Sequence, residues 1–323
     1  MKLVDDVVAG YERTVAFARR SRAFDHLWRA RERYNAVMGG RLAAAIAYYG
    51  FFAAFALALL AYSILGFAVT ARTDLRVTVS EFLQNNLPWL DVEQVQQARG
   101  TIALVGAIGL VLTGVGWVEG MRSSQRLVWD LDEQPGNVII RRLVDLGMLV
   151  GLGLLLGASL WVSSGIERFL FYLSPQSLTP AMQDAFGWIG LGLGWLVNLL
   201  LAAALLAAVP RLRMPVRRLL PSTLLVGLGV TLLTTIGQLL IERTKQNPVG
   251  QVAGGVVGLL TFLYLFSQLL LFGAALAATS EHGKVMDLAA GPAAPPVDPP
   301  PIDPPPDGSA PGGASSGGGA AGT

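Results

Sequence analysis

The sequence predicts an all-α, polytopic membrane protein with six transmembrane helices, an amphipathic N-terminal helix and a disordered C-terminal tail. Two observations support this prediction. The 323 residues are 53% hydrophobic and only 14% charged, whereas soluble domains carry roughly 25% charged residues. Between Arg41 and Arg72 there is no Asp, Glu, Lys or Arg, and about 20 apolar residues suffice to cross the hydrocarbon of a bilayer.

The N-terminal segment, residues 1–41, is basic and has apolar residues at helical spacing. Such a helix is expected to lie along the lipid headgroups, where Trp28 sits at the interface and arginines contact anionic lipid. The predicted lipid-interface set is Arg22, Arg29, Arg31, Arg33 and Arg41. A plain solvated cytoplasmic helix is the alternative.

The membrane domain is predicted to cover residues 42–278, followed by a tail over residues 279–323. The six predicted spans are residues 42–69, 101–118, 143–164, 185–209, 219–241 and 252–278. Residues 71–100 are predicted to form short amphipathic helices on the outer face, and residues 119–142 a polar loop. The tail is rich in Pro, Gly, Ala and Ser and cannot bury a core, so we expect it to be disordered.

The distribution of basic residues predicts the orientation of the chain. Of the 24 Lys and Arg residues, 18 fall in the N-terminal segment, the 119–142 and 210–218 connections and the tail, which lie on one side of the predicted spans. The other side holds six. Because basic loops remain in the cytoplasm, both termini are predicted to be cytoplasmic.

Several classes of function are disfavoured by the composition. The chain has no Cys, which removes thiolate chemistry and metal sites with sulfur ligands. His26 and His282 are separated by the whole membrane domain and are expected to be surface residues. Neither a metal-ligand spacing, a nucleophile elbow nor a phosphate-binding loop occurs. We therefore expect no enzyme activity, no catalytic residue, no metal, no cofactor and no nucleic-acid partner.

Polar groups at membrane depth are the candidates for function, since each is costly unless it meets a partner or a water-filled cavity. The predicted substrate path consists of Asn198, Gln238, Gln268, Glu119 and Asp145. The alternative is structural. The amides would then hydrogen-bond neighbouring helices, and the two acids would pair with arginines of the 119–142 connection at the interface.

Several motifs resemble the YihY/virulence factor BrkB family of bacterial inner-membrane proteins. They are A-A-A-I-A-Y-Y at residues 43–49, the pair Trp117 and Trp129, R-R-L-V-D-L at 141–146, P-V-R-R-L-L-P at 215–221 and the last apolar segment at 258–278. Together they cover about residues 20–280. The resemblance implies six helices, an inner-membrane location and an envelope role.

Two positions depart from the family's pattern. Ala56 stands where many members have Pro, and Ala275 stands where the last helix often carries Glu. A function that depends on that carboxylate elsewhere would have to proceed without it here. The older ribonuclease BN label of such sequences also lacks nuclease ligands in this chain.

Two functions remain open from the sequence. The first is transport or handling of a lipid or small solute, with membrane lipids, in particular anionic ones, as partners. The second is a non-transporting scaffold for envelope integrity. Convergence of Asn198, Gln238 and Gln268 on one cavity would favour transport, and separate burial of the three amides would favour a scaffold. Homo-oligomer formation is left open.

Overall fold

The computed structural model describes residues 21–71, 92–172, 192, 194–244, 248–290 and 296–300, which are mostly helical. The helices are α1 (Arg22–Ala36), α2 (Gly39–Ala71), α3 (Val92–Val128), α4 (Val138–Tyr172), α5 (Gly194–Ala208), α6 (Val216–Thr244) and α7 (Pro248–Ala278). The last turn of α5 is π-helical (Ala204–Ala208). Two short strands, β1 (Leu212–Arg213) and β2 (Met286–Asp287), pair antiparallel.

Four of these helices are long and apolar enough to cross a membrane. Their apolar stretches are Gly39–Leu60, Ala103–Val128, Val216–Leu239 and Gly255–Ala278. Two further predicted spans overlap α4, which is 35 residues long, and the shorter apolar helix α5. An apolar helix satisfies all its backbone hydrogen bonds internally, so it is suited to hydrocarbon as a solvent.

Helix α7 lies at the centre of the described bundle. It packs against α1, α2, α3 and α6, while α2 and α3 form the most extensive helix pair. The C-terminal end of α7 is the most buried part of the helix, with Leu270, Leu271 and Ala274–Ala278 all buried. Ala275, one of the two departures from the pattern of the family that the sequence resembles, is fully buried in this core.

Small residues allow α2 and α3 to approach closely. A Cβ added to Gly106 of α3 would lie 2.9 Å from the backbone nitrogen of Leu60 and 3.4 Å from the carbonyl oxygen of Ala56. Side chains larger than hydrogen would therefore force the backbones apart, as is usual for packing of helices in membranes. Ala56, the second departure from the family's pattern, lies in this contact.

The polar connection predicted at residues 119–142 is much shorter in the structure. Helix α3 continues through Glu119 to Val128, and α4 begins at Val138, so only residues 129–137 are non-helical. The sequence predicted a polar loop here, whose arginines would pair with Glu119 and Asp145 at the membrane interface. Arg122 and Arg126 are instead buried and fully partnered, which lets the helix carry them into the protein.

The first part of the predicted tail also has defined structure. Met286 and Asp287 pair with β1, and Val285 pairs with Val297. This part of the tail has no periodic apolar pattern from which to predict this structure, since backbone pairing, the carboxylate of Asp287 and two valines, Val285 and Val297, make the contacts. Residues 291–295 and 301–323 lie outside the described residues, as do 72–91 and 173–191, where other predicted connections fall.

Helix α1 packs on the end of α7. Ala30 is fully buried, and the Nε2 atom of His26 lies 2.8 Å from the carbonyl oxygen of Leu276. His26, expected at the surface, is thus half-buried. Burial lowers the pKa of His26, and the hydrogen bond to Leu276 only partly opposes this effect.

Candidate functional site

The last turns of α3 carry a buried polar face. Arg122, Gln125, Arg126 and Trp129 recur at helical spacing, and all four are buried. Residues three and four apart share one face of a helix, so the same periodicity that normally marks an apolar stripe here places guanidinium and amide groups against the rest of the bundle. Buried polar groups of this kind require partners.

Arg122 binds Asp145 of α4 through two parallel hydrogen bonds. Nε and Nη2 donate to the two carboxylate oxygens at 2.9 and 3.1 Å, and Nη1 donates to the carbonyl oxygen of Glu133 at 3.0 Å. The exposed fractions of the two side chains are 1% and 0%. A bidentate pair of this geometry is the strong form of the interaction, and it joins the ends of α3 and α4.

Arg126, one turn further along α3, binds the C-terminal segment in the same way. Nη1 and Nη2 donate to the carboxylate of Asp287 at 2.9 and 2.7 Å. The remaining donors reach the carbonyl oxygens of Asp132 and Pro210. One side chain therefore ties together α3, the following loop, the α5–α6 turn and β2.

The pKa of Asp287 lies below its ordinary value of 3.8. Burial raises the pKa of Asp287. The hydrogen bond from Arg126, the backbone hydrogen bonds from Ala289 and Ala290, and the charge of Arg126 lower it, and together they outweigh the effect of burial. Stability from the Arg126–Asp287 pair is therefore complete above the pKa of the unfolded state and is lost as the pH falls through the lower folded-state value.

The expected result is a pH-dependent difference between the wild type and Asp287→Asn. The difference in free energy of unfolding should be largest between about pH 5 and 7. It should shrink below about pH 4, where the carboxylate becomes protonated in the unfolded state before it does in the folded state, whose pKa is lower. Chemical unfolding of the detergent-solubilised proteins at pH 7, 5 and 3.5 measures it. A difference that stays constant over this range would contradict the role of the ionised pair.

Gln125 connects the same face of α3 to the π-helical turn of α5. Its Nε2 atom donates to the carbonyl oxygen of Leu205 at 3.1 Å. A π-helical turn leaves carbonyl groups displaced from the regular ladder, and such turns often occur at functional sites. The Oε1 atom of Gln125 is buried and has no hydrogen-bond partner among the described residues.

A third arginine, Arg218, binds the carbonyl groups at the end of α7. Arg218 of α6 donates to the oxygens of Ala277 and Ala278, at 2.8 Å each, and to Gly283. Its guanidinium also lies 5.0 Å from the ring centre of Trp129. Cations are favourable at helix C-termini, where carbonyls lack intrahelical partners, so Arg218 fixes the end of α7.

The acids predicted for the substrate path are both paired in the structure. Glu119 binds Arg142 at 2.6 Å, with half of the arginine side chain exposed. Asp145 binds Arg122 and also lies 3.7 Å from Nη2 of Arg211. Both carboxylates are thus paired with nearby arginines, which is the arrangement expected if the two acids have a structural role.

The predicted amides lie on three helices. Asn198 of α5 and Gln238 of α6 are exposed on the protein surface, whereas Gln268 of α7 is half-buried. Leucines adjacent to two of them pack against glycines of α6: Leu199 faces Gly227, and Leu269 faces Gly229. The three helices therefore pack together, and whether the amides form one path stays a prediction.

The five arginines predicted for the lipid interface have different surroundings. Arg22 and Arg41 are exposed, and exposed Arg31 lies 5.1 Å from the ring centre of Trp28. Arg29 pairs with Asp25 and Glu281. Arg33 is buried and donates to the carbonyl oxygens of Leu127 and Val128 at the end of α3. The guanidinium of Arg33 therefore hydrogen-bonds the C-terminal end of α3.

Of this network, the predicted site included Asp145. Five other members, Arg122, Arg126, Arg211, Arg218 and Asp287, were not among the predicted site residues. A signal was present, because Arg122 and Arg126 are four residues apart and directly continue the apolar helix. Their carboxylate partners lie 23 and 161 residues away in the sequence, which only a tertiary structure reveals.

Comparison with known proteins places the chain among membrane proteins. The profile of the family described as Virulence factor BrkB matches residues 30–297. The inner membrane protein YhjD of Escherichia coli (strain K12) is 26% identical over 274 residues, covering 80% of this chain and 81% of YhjD. An uncharacterized protein of Dickeya dadantii (strain 3937) is 28% identical over 279 residues, covering 80% and 84%. No solved structure matches.

Proposed function

The chain belongs to the virulence factor BrkB family and is an inner-membrane protein, and we propose from this that it handles an anionic lipid in that membrane. The proposal includes six membrane-spanning helices, with α4 and α5 as the third and fourth, and both termini in the cytoplasm. It also includes the absence of enzyme activity. The direction of movement of the lipid is left open.

The observation that carries the proposal is the position of two amides on the outer, apolar surface of the bundle. Asn198 is exposed beside Trp195, Leu196 and Leu200, which are exposed as well. A hydrocarbon-facing amide is costly unless it finds a partner. A lipid headgroup that moves along the protein while its acyl chains stay in the bilayer would provide one.

Gln238 of α6 has the same kind of surroundings. The exposed residues Ile236 and Leu239 flank it. Exposed Thr234, by contrast, donates its hydroxyl hydrogen bond within its own helix, to the carbonyl oxygens of Val230 and Thr231. Thr234 therefore has less need of an external partner and provides a matched control on the same helix.

The test is movement of a fluorescent phosphatidylglycerol between the leaflets of vesicles that contain the purified protein. The wild type is expected to move the lipid faster than protein-free vesicles do. The double variant Asn198→Leu/Gln238→Leu should lose most of this excess rate, and Thr234→Val should keep it. Equal rates with and without protein would overturn transport of this lipid.

A scaffold is the second candidate function, because exposed amides on an apolar face can also hydrogen-bond a second copy of the chain. The same variants distinguish the two functions. If the protein is a scaffold, Asn198→Leu/Gln238→Leu should dissociate an oligomer in detergent. Neither the wild type nor any of the variants should then accelerate lipid movement. Size-exclusion chromatography with light scattering measures the first of these results.

A further inference from the structure

Arg211 has an unusual backbone conformation in the turn between α5 and α6. Its φ angle is +60°, in the left-handed region that residues with a side chain rarely adopt. Hydrogen bonds hold it there: its amide donates to Ala208, and its carbonyl accepts from Leu288 of the C-terminal segment. Such conformations persist where the surroundings impose them, frequently at functional sites.

Two donors of the Arg211 guanidinium have no hydrogen-bond partner among the described residues. These donors are Nε and Nη2, and both are buried. The nearest carboxylate oxygen is Oδ1 of Asp145, at 3.7 Å from Nη2, and that oxygen already accepts from Arg122 at 2.9 Å. Arg122 thus holds both oxygens of Asp145 by hydrogen bonds, and Arg211 has only the longer ionic contact with this carboxylate.

Arg141 of α4 also has a donor without a hydrogen-bond partner among the described residues. Its Nη1 and Nη2 atoms donate to the carbonyl and side-chain oxygens of Gln134, but buried Nε has no partner in the described part of the chain. Its charge, like that of Arg122, acts on Arg211. Two arginines with buried, unpaired donors therefore lie beside the Arg122–Asp145 pair.

Positive charge exceeds negative charge at this place. The charges of Arg122, Arg126 and Arg141 all act on Arg211, and the two carboxylates paired with this group are Asp145 and Asp287. Burial lowers the pKa of Arg211, Arg122 lowers it further, Asp145 opposes this, and Arg126 and Arg141 add to the lowering. An anion placed here would relieve that repulsion.

Exposed apolar side chains lie near two of these four arginines in the sequence, in α4 and α6. Ile139, Ile140 and Leu143, beside Arg141 in the first turns of α4, are all more than 60% exposed, and Val216 at the start of α6 is 71% exposed. These side chains need hydrocarbon or another apolar surface as a neighbour. A ligand that satisfies both parts would combine an oxyanion with an acyl chain.

We propose that Arg211 and Arg141 bind a phosphate group, through the Nε and Nη2 donors of Arg211 and the Nε donor of Arg141. Guanidinium groups present planar, forked donors that match phosphate oxygens. The ligand is the headgroup phosphate of a phospholipid, and the Arg122–Asp145 pair orients the site without binding the ligand. This inference rests on the proposed lipid function and specifies where the headgroup would bind.

Binding to the purified protein tests the site with two probes. Phosphatidylglycerol carries both phosphate and acyl chains, and sn-glycerol 3-phosphate carries the phosphate alone. Phosphatidylglycerol should bind to the wild type, and Arg211→Gln should weaken this binding about tenfold or more, because a hydrogen bond to a charged group contributes about 1.5–3 kcal/mol. Native mass spectrometry of the detergent-solubilised protein gives the affinities.

The matched control is Arg213→Gln, which removes the same charge from an exposed position two residues away. Its affinity for phosphatidylglycerol should equal that of the wild type. Arg211→Lys keeps the charge and should bind more weakly than wild type but more tightly than Arg211→Gln. Melting temperatures of all variants establish that the proteins compared are folded.

Each outcome decides the proposal. If Arg211→Gln weakens phosphatidylglycerol binding while Arg213→Gln does not, and glycerol 3-phosphate binds little, the ligand is a lipid headgroup. Equally strong binding of both probes supports a phosphate site for free anions. Equal affinity of Arg211→Gln and wild type overturns the site. If the two affinities are equal while the wild type still moves lipid between leaflets, the site is overturned and the proposed function stands. If Arg211→Gln weakens binding but the wild type moves no lipid, the site stands and the proposed transport is overturned.

Discussion

Asp145→Asn should lower the free energy of unfolding by about 3–5 kcal/mol, the usual loss when one partner of a buried ion pair is removed. The substitution keeps the size of the side chain but removes the charge that the buried guanidinium of Arg122 faces at 2.9 and 3.1 Å. Arg211, at 3.7 Å, loses its nearest carboxylate as well. Unfolding in mixed micelles, followed by tryptophan fluorescence, measures the change.

Glu119→Gln is the matched control for Asp145→Asn. It also removes one carboxylate from an arginine pair near the end of α3, but half of the Arg142 side chain is exposed. Exposed pairs contribute about 0–1 kcal/mol. Equal effects of the two substitutions would show that burial of the Arg122–Asp145 pair does not determine its contribution.

A double substitution separates the pair from its surroundings. Arg122→Met in the Asp145→Asn background removes the unpaired guanidinium, so the double variant should be more stable than the sum of the two single effects predicts. Additive effects would mean that Arg122 and Asp145 act independently. The 1% and 0% exposure of the two side chains argues against that result.

Arg126→Gln should release the C-terminal segment from the bundle. The substitution removes both hydrogen bonds to Asp287 and those to the carbonyl oxygens of Asp132 and Pro210. As long as the segment stays docked, Asp287 is buried without its counter-charge, which costs about 3–5 kcal/mol and favours release. The pairing of β2 with β1 should open, because each short strand contributes only two residues to it.

Cleavage by trypsin after Lys284 measures this release. Lys284 is exposed, but Val285 next to it is buried and paired with Val297, so a protease must first open the segment. Cleavage should be at least about tenfold faster in Arg126→Gln, which corresponds to about 1.4 kcal/mol of local stability. Arg217→Gln, an exposed arginine on α6, should leave the rate unchanged, and equal rates in all three proteins would contradict the prediction.

The apolar part of the fold could be predicted from the sequence. Long runs without charge, such as residues 42–71, predict helices in a bilayer, and α2, α6 and α7 cover the corresponding predicted spans. The reason is physical: hydrocarbon permits few backbone structures other than helices. Composition and local periodicity therefore determine this level of structure.

The polar network could not be predicted in the same way. The extension of α3 to Val128 depends on Arg122 and Arg126 finding Asp145 and Asp287, and the sequence does not indicate which carboxylates they meet. The order in residues 285–287 depends on the same contacts. Of the predicted site, Asp145 lies in this network, whereas the positive φ and the unpaired donors of Arg211 have no local signature in the sequence.

The account's central claim is that this end of the bundle binds the phosphate of a membrane lipid. An experimental density map of the protein in a bilayer of phosphatidylglycerol tests it most directly. The account predicts a phosphate within hydrogen-bond distance, about 3 Å, of Arg211 and Arg141, with acyl density along Ile139 and Ile140. A well-resolved turn in which Arg211 is paired with protein groups and no lipid phosphate lies near would contradict it.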